Sequence, residues 1–170
     1  MKSLRHVHAE LGIPPDYPQT RNLARQRQPA RLVGIGRNPD GRPVRLTPAA
    51  ATAWRRMAAA AAGAGLQLLP ISGFRSVRYQ IAIIRRRLQR GEPIDQTLRL
   101  IAAPGFSEHH SGRALDIGSP GHVELQENFA RTATYRWLAA NAGQFGFRLS
   151  YPRNNRSGFA FEPWHWCWHR

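Results

Sequence analysis

The sequence predicts a single domain of the α+β class, in which helices pack around an antiparallel sheet. Apolar residues recur at helical spacing in several segments, and most strand-like segments fall in the second half of the chain. No internal repeat or domain boundary is evident, and 170 residues with 42% hydrophobic content suffice for one packed core. We expect residues 1–30 to form an N-terminal helix and arm packed on a domain of residues 31–170.

The N-terminal part of the chain is predicted to be a short helix followed by an arm on the surface of the domain. Residues 2–11 fit a short amphipathic helix, ended by Gly12 and the pair Pro14-Pro15. Residues 16–29 are polar, basic and without periodicity. We therefore expect them to lie over the surface of the domain.

A hairpin and a long helix are predicted next. Two β-prone segments, around residues 32–35 and 43–46, flank the turn sequence NPDG. Thr47 suits an N-cap and Pro48 suits a first helical position. A helix is therefore predicted over residues 48–62.

A strand and two further helices follow. Residues 66–71 are a candidate buried strand, which would deliver the segment Ser72-Gly73-Phe74-Arg75 at its exit. Residues 77–89 have an apolar helical face. The breaker Gly91-Glu92-Pro93 separates this helix from a shorter one predicted over residues 95–101.

The second half of the chain is predicted to hold most of the sheet. After a loop over residues 103–111, residues 113–118 alternate as a strand does. A helix is predicted over residues 134–142. Two strand-like segments, residues 147–151 and 159–166, complete the domain.

Charge and cysteine content limit the classes of partner and of metal site. The chain has 25 Lys+Arg against 10 Asp+Glu, a net charge of +15, which attracts nucleic acid, an anionic envelope polymer or a membrane face. A GC-rich genome would also produce this arginine-rich composition. The single cysteine, Cys167, excludes an intramolecular disulfide and a multi-cysteine zinc module. Residues 1–30 contain no apolar run typical of a secretory signal.

Two separated segments, FSEHHSGRALDI and FEPWHW, contain the residue types of a catalytic zinc site. His109 and Asp116 come from the first segment and His165 from the second. Two histidines and one carboxylate leave a fourth coordination position open, which distinguishes catalytic from structural zinc sites. Glu162 is a further carboxylate that could act as a base.

The same segments resemble a known enzyme family. Residues 107–116, SEHHSGRALD, match the signature SxHxxGxAxD of zinc D,D-carboxypeptidases, and residues 162–166, EPWHW, resemble their ExWH element. Upstream, residues 72–76 together with Gln80 resemble the SGxRSxxxQ segment. Three ordered motifs over residues 70–168 thus resemble the D-alanyl-D-alanine carboxypeptidases of the VanY type. The resemblance implies a Hedgehog/DD-peptidase-like fold whose antiparallel sheet carries the zinc site.

The resemblance also implies the roles of individual residues. It implies one zinc ion per chain, bound by His109, Asp116 and His165. Glu162 would be the catalytic base, with zinc-bound water as the nucleophile, and Arg75 would act in the substrate pocket. The planar donor fork of an arginine suits a polarised carbonyl oxygen or a terminal carboxylate. Three further residues are implied to line the pocket: Gln80, Ser107 and Tyr151.

The spacing of Glu162 and His165 predicts a local bend. Residues three apart face opposite sides of a regular strand, so both side chains could not reach one metal from within a strand. Pro163 cannot donate a ladder hydrogen bond. We therefore expect the strand to start near Trp164, with Glu162 ahead of it.

The remaining candidates have weaker support. We expect His110 to face away from the metal, either behind the ligands or at the surface. Cys167 is interpreted as a small, partly buried thiol. Glu108 has no motif support as a site residue.

The predicted function is a zinc-dependent peptidoglycan carboxypeptidase that hydrolyses the amide bond before the C-terminal D-alanine of a stem peptide. We expect a monomer with no transmembrane segment, acting in the cell envelope or periplasm, with an anionic wall polymer as a further partner. Because no signal sequence is visible, a cytoplasmic location or release during phage lysis stays open.

Several alternatives remain at this point. An L,D-carboxypeptidase, a D,D-dipeptidase or a phage-endolysin-type endopeptidase would use the same zinc chemistry. A basic nucleic-acid-binding protein is a remote alternative, because no specific nucleic-acid motif is present. A non-catalytic wall-binding or regulatory module would keep the fold and the metal, but Glu162 and Arg75 argue against it.

Overall fold

A computed structural model describes residues 3–169 and has the predicted α+β architecture. A four-stranded antiparallel sheet has the order β3-β4-β6-β5, and β1 and β2 form a separate hairpin. The strands are β1 Val33–Arg37, β2 Pro43–Leu46, β3 Leu69–Ser72, β4 Ala114–Gly118, β5 Phe147–Leu149 and β6 His165–Trp168. The α-helices of the described residues are α1 Leu4–Glu10, α2 Tyr17–Thr20, α3 Pro48–Gly63, α4 Val77–Gln89, α5 Ile94–Leu100 and α6 Ala133–Asn141. Lys2, the first residue of the predicted N-terminal helix, lies outside the described residues.

The main core lies between the four-stranded sheet and helices α3 and α6. Met57 of α3, Leu115 of β4 and Leu138 of α6 are fully buried in it. Trp166 of β6 belongs to the same cluster. This packing fixes β4 and β6 against each other at the centre of the domain, which is where the predicted metal ligands lie.

A second apolar cluster attaches the N-terminal segment to the domain. Val7 and Leu11 pack with Ile84 of α4 and Leu98 of α5. The predicted surface arm also has a buried anchor, because Tyr17 is only 3% exposed and its hydroxyl accepts a hydrogen bond from the Ala103 backbone at 3.2 Å. A side chain this buried was not expected from the polar, aperiodic sequence around it.

The third strand begins later than predicted. β3 starts at Leu69 rather than at residue 66, because the Leu66 backbone N–H donates to the Ala61 carbonyl at 2.9 Å and so closes the end of α3. Its proline, Pro70, is tolerated because β3 is an edge strand of the sheet.

The last strand is also shorter than predicted at its start. β6 begins at His165, not at residue 159, because the Asn155 side chain binds both the N–H and the carbonyl of Phe159 and holds it in a loop. The predicted loop over residues 103–111 contains a 3-10 helix, Glu108–Ser111. In the described part of the chain, none of the helices combines the length and apolarity that crossing a bilayer requires.

Candidate active site

Three neighbouring strands form the floor of the site. In the register of the sheet, Asp116 of β4 is opposite Ser72 of β3 on one side and opposite His165 of β6 on the other. Directly opposite residues on antiparallel strands place their side chains on the same face. The sheet therefore brings Asp116 and His165 together although 49 positions separate them in the chain.

The predicted bend at Gly112 brings His109 to the same place. Gly112 has a φ of +65°, a left-handed conformation that suits glycine, and it ends the 3-10 helix Glu108–Ser111. Its carbonyl accepts a hydrogen bond from the Thr47 backbone at 2.8 Å. A Cβ at this position would also lie 3.0 Å from the side chain of Leu32. The bend turns the chain into β4, so that His109 lies over Asp116.

The three predicted metal ligands form one buried cluster. Their candidate ligand atoms all lie within 4.8 Å of one another. His109 Nε2 is 3.2 Å from one oxygen of Asp116, and His165 Nδ1 is 3.0 Å from the other. The two imidazole rings are nearly perpendicular, with centroids 4.9 Å apart.

The hydrogen bonds behind the two histidines fit metal ligation. His109 Nδ1–H donates to the Gly73 carbonyl at 2.7 Å, and His165 Nε2–H donates to the Glu108 carboxylate at 2.9 Å. In each ring the other nitrogen is turned toward Asp116, where a bound metal ion would take its lone pair. Two neutral imidazoles and one carboxylate are a donor set that zinc accepts.

The pKa values of the metal-free cluster show which protons a cation would replace. Burial would lower the pKa of His165, but its hydrogen bonds to Asp116 and Glu108 outweigh burial and raise that pKa to about 10, so a bound metal ion would displace a proton from this ring. Burial alone would raise the pKa of Asp116, but the adjacent His109 and His165 outweigh it and hold that pKa well below its usual range. Burial lowers the pKa of His109, which favours the neutral form that a ligand requires. A buried carboxylate with its oxygens turned to two histidines is ready to receive a cation.

Glu162 reaches the cluster from the predicted bend. The His165 N–H donates to the Glu162 carbonyl at 3.1 Å, which closes a turn through Pro163 and Trp164 just ahead of β6. One Glu162 oxygen lies 3.7 Å from His165 Nδ1. Burial raises the pKa of Glu162 to about 7, close to the value that suits a general base at neutral pH. The expectation that Glu162 precedes the strand is confirmed, and the strand starts one residue later than expected.

Arg75 is held at the edge of the same cluster. Its guanidinium lies 3.9 Å from Asp116 and donates to Gln80 and to Ser72, each at 3.2 Å. Gln80 is fully buried and in turn donates to the Ala102 carbonyl at 2.7 Å. The guanidinium is thereby fixed in orientation, with 17% of the side chain still exposed.

His110 is neither exposed nor part of the cluster. It is fully buried, and its Nδ1–H donates to the Arg75 carbonyl at 2.6 Å, while its Nε2 accepts from the Gly105 N–H at 3.1 Å. The surface position considered for His110 is therefore wrong. This histidine instead ties the backbone of Arg75 to the loop that carries His109.

The predicted residues surround one cavity of about 330 Å³. The Tyr151 ring forms part of its wall and packs on the His165 ring, with centroids 4.7 Å apart. The sequence-predicted residues that line this cavity are Arg75, Gln80, Ser107, His109, Asp116, Tyr151, Glu162 and His165. The structure thus brings the whole predicted set together, and the individual roles remain predictions.

Sequence reasoning missed Glu108 and Ser150. The Glu108 carboxylate accepts a hydrogen bond from Ser150 Oγ at 2.6 Å as well as the one from His165. Burial would raise the pKa of Glu108, but these two donors and the charge of His165 lower it to about 2. The adjacency of Glu108 to His109 was the available signal. Its partners lie 42 and 57 positions away, so no local pattern could reveal them.

Cys167 follows His165 by two residues in β6 and lies close to the Glu108 carboxylate. Burial and the negative charge of Glu108 raise the pKa of its thiol, so the thiol stays protonated. Cys167 is 2% exposed. This environment agrees with its interpretation as a buried thiol.

A model of the D-alanyl-D-alanine carboxypeptidase family, VanY, matches residues 43–170. The chain belongs to the VanY family. The match includes all the residues of the cluster and omits the N-terminal helix and arm. Among curated relatives, YodJ of Bacillus subtilis strain 168 is 38% identical over 120 residues. YodJ is provisionally named a carboxypeptidase. That alignment covers 68% of this chain and 43% of YodJ, so the VanY-family chain spans less than half the length of this relative.

Solved structures of related proteins share the fold. The LdcB LD-carboxypeptidase superposes with a TM-score of 0.73 at 33% identity, covering 83% of this chain and 69% of LdcB. VanYB in complex with D-alanine-D-alanine gives a TM-score of 0.66 at 26% identity, covering 88% of this chain and 86% of VanYB. A mutant VanY from the VanB-type resistance cassette, in complex with Zn(II), gives a TM-score of 0.64 at 25% identity, covering 88% of this chain and 87% of the mutant VanY.

Proposed function

We propose that this protein is a zinc-dependent peptidoglycan carboxypeptidase that hydrolyses the amide bond before the C-terminal D-alanine of a stem peptide. The observation that carries the proposal is the buried cluster of His109, Asp116 and His165 with Glu162 beside it, at the wall of a cavity of about 330 Å³. Membership of the VanY family and the D-alanine-D-alanine complex of VanYB support this substrate class.

The side chains of the cavity would have separate roles in amide hydrolysis. A bound zinc ion would supply a Lewis acid that lowers the pKa of a water molecule and polarises the scissile carbonyl. Glu162 would take the proton of the attacking water and pass it to the leaving amine. Arg75 would bind the terminal carboxylate or the polarised carbonyl oxygen through its donor fork. Gln80 and Ser72 hold that fork in place before substrate arrives.

Defined muropeptides test the proposal in one assay. We expect a pentapeptide ending in D-alanyl-D-alanine to lose the mass of one alanine residue when incubated with the protein, and a chelator to stop the reaction. Mass spectrometry separates this product from loss of a dipeptide and from internal cleavage. Intact pentapeptide at every protein concentration, with zinc bound, would show that the substrate is different.

An L,D-carboxypeptidase is the second candidate. The likeness to LdcB, with a TM-score of 0.73, favours it. This enzyme would leave the pentapeptide intact and remove one D-alanine from a tetrapeptide. An assay that contains both peptides therefore distinguishes a D,D-carboxypeptidase from an L,D-carboxypeptidase.

We also propose that the protein acts in the cell envelope and contacts an anionic wall polymer through a basic groove. The groove runs between α4 and the N-terminal segment, with a volume of about 1620 Å³. Among its described lining residues none is acidic, and five are arginines: Arg25, Arg27, Arg78, Arg85 and Arg86. Arg85 pairs with Glu10 at 3.5 Å. The excess of positive charge complements a chain of phosphodiester or carboxylate groups.

Matched triple variants test this contact. The change Arg25→Ala/Arg27→Ala/Arg78→Ala is expected to weaken co-sedimentation with wall fragments about tenfold, at roughly 0.5 kcal/mol for each exposed arginine. The control Arg56→Ala/Arg131→Ala/Arg148→Ala removes the same charge from exposed positions outside the groove. Equal losses in both variants, or unchanged binding to fragments stripped of anionic polymer, would contradict the groove assignment.

A further inference from the structure

The two histidines of the cluster are oriented by chemically different partners. His109 is held by a backbone carbonyl, that of Gly73, which is neutral. His165 is held by the carboxylate of Glu108, which carries a negative charge. A carboxylate behind a ligating imidazole fixes the ring's tautomer and makes the ligating nitrogen more basic. Glu108 therefore has the geometry to control how His165 binds a cation.

Glu108 is itself fixed in position. Ser150 Oγ donates to the same Glu108 oxygen at 2.6 Å, and the Ser111 hydroxyl donates to the Glu108 backbone carbonyl at 2.6 Å. The Glu108 side chain is three-quarters buried, with 24% exposed. A buried charge is retained only when its hydrogen bonds are satisfied, and Ser150 and His165 both donate to this carboxylate. Its position is therefore set before any ligand arrives.

The charges of the site also account for a carboxylate at this position. Asp116 and Glu108 together carry two negative charges around the two histidines, which would neutralise a divalent cation in a buried place. At the cavity wall, Arg75 adds a positive charge 3.9 Å from Asp116, and Glu162 adds a further carboxylate. Without Glu108 a buried divalent cation would retain an uncompensated positive charge, and burial of such a charge is costly.

We propose that Glu108 is a positioning residue of the metal centre: its carboxylate holds the Nε2–H of His165 so that Nδ1 faces the ion beside Asp116. The proposal rests on the proposed zinc site. Glu108 is not among the described residues that line the cavity, so its effect on the ion passes through His165. Ser150 supports it by orienting the carboxylate.

Zinc affinity measured by competition with a chromophoric chelator tests this role. Glu108→Gln keeps the shape of the side chain and a neutral acceptor, so we expect the dissociation constant for zinc to rise about tenfold, and up to about a hundredfold for Glu108→Ala. Ser150→Ala should raise it by a smaller factor. The control Glu127→Gln changes an exposed glutamate that neither lines the cavity nor belongs to the cluster, and it should leave zinc affinity unchanged.

Thermal unfolding with and without zinc separates positioning from a general structural role. A positioning residue lowers the stabilisation that zinc provides, whereas a purely structural residue lowers the melting temperature of the metal-free protein and leaves zinc affinity intact. The second result, or equal zinc affinity in Glu108→Gln and the unaltered protein, would overturn the proposal. If the unaltered protein bound no zinc, the proposed function itself would fail, so the two failures are distinguishable.

Discussion

Glu162→Gln is expected to retain zinc and the fold and to lose about 10²- to 10⁴-fold in the rate of amide hydrolysis, the usual contribution of a general base. The glutamine amide has the same shape but cannot accept the proton of the attacking water. Glu162 lies 3.7 Å from His165 and is not among the three residues of the metal cluster, so its loss should leave the ligands in place. Steady-state hydrolysis of a defined muropeptide, together with zinc analysis of the same sample, measures both quantities.

Glu127→Gln is the matched control for this variant, because Glu127 is exposed and pairs with Arg153, and neither residue lines the cavity. The control should hydrolyse the peptide at the normal rate. Near-normal turnover in Glu162→Gln would show that the base is a different residue. Loss of zinc from Glu162→Gln would instead show that Glu162 is a ligand.

The pH dependence of the stability of the metal-free protein provides a second test of Glu162, and the pKa of Glu162 sets the direction of the change. Burial raises the pKa of Glu162 from 4.5 to about 7 in the folded state. The contribution of this carboxyl to stability is therefore fully present below pH 4.5 and is lost as the pH rises through 7. As the pH rises from 4.5 to 8, the free energy of unfolding of the metal-free protein should fall by up to about 3 kcal/mol more than that of Glu162→Gln. Denaturant unfolding of both proteins at pH 4.5 and pH 8 measures the difference.

His109→Ala and His165→Ala are each expected to abolish zinc binding at micromolar protein and, with it, hydrolysis. Each change leaves only two protein ligands, and catalytic zinc sites use three. Metal analysis after dialysis should give about one zinc per chain in the unaltered protein and less than about a tenth in either variant. The affinity loss should exceed the hundredfold that removal of an outer carboxylate causes.

His6→Ala controls for the loss of a histidine as such. His6 is exposed on α1, where it contacts Glu10, and its removal should leave the zinc content unchanged. Circular dichroism of the metal-free variants would show whether the fold survives. Full zinc occupancy in both cluster variants would overturn the assignment of the ligands.

Much of the site could be predicted because its residues occur in local motifs. The spacing of His109, Gly112 and Asp116 describes a bend followed by a strand, and both form as expected. The turn at Pro163 could be predicted from a backbone rule, because a proline cannot donate in a ladder and Glu162 must reach the metal from outside the strand. These features depend on a few neighbouring residues.

Two of the errors arise from local hydrogen bonds that hydrophobic periodicity does not reveal, and one arises from a contact between distant parts of the chain. β3 starts late because the end of α3 uses the Leu66 N–H, and β6 starts late because the Asn155 side chain holds Phe159 in a loop. Tyr17 is buried in the N-terminal arm because Ala103 offers its N–H to the tyrosine hydroxyl. Each of these contacts joins residues that no periodicity relates.

The amino-acid sequence by itself determined the α+β class, the metal ligands to test and the need for a bend before His165, because propensity, turn chemistry and motif spacing are local properties. Only the tertiary structure decided the atoms that face the metal position, His109 Nε2 and His165 Nδ1, and the carboxylate of Glu108 behind the second of them. The physical reason is that the register of β3, β4 and β6 and the hydrogen bonds across that sheet set these orientations, and both depend on pairing residues far apart in the chain.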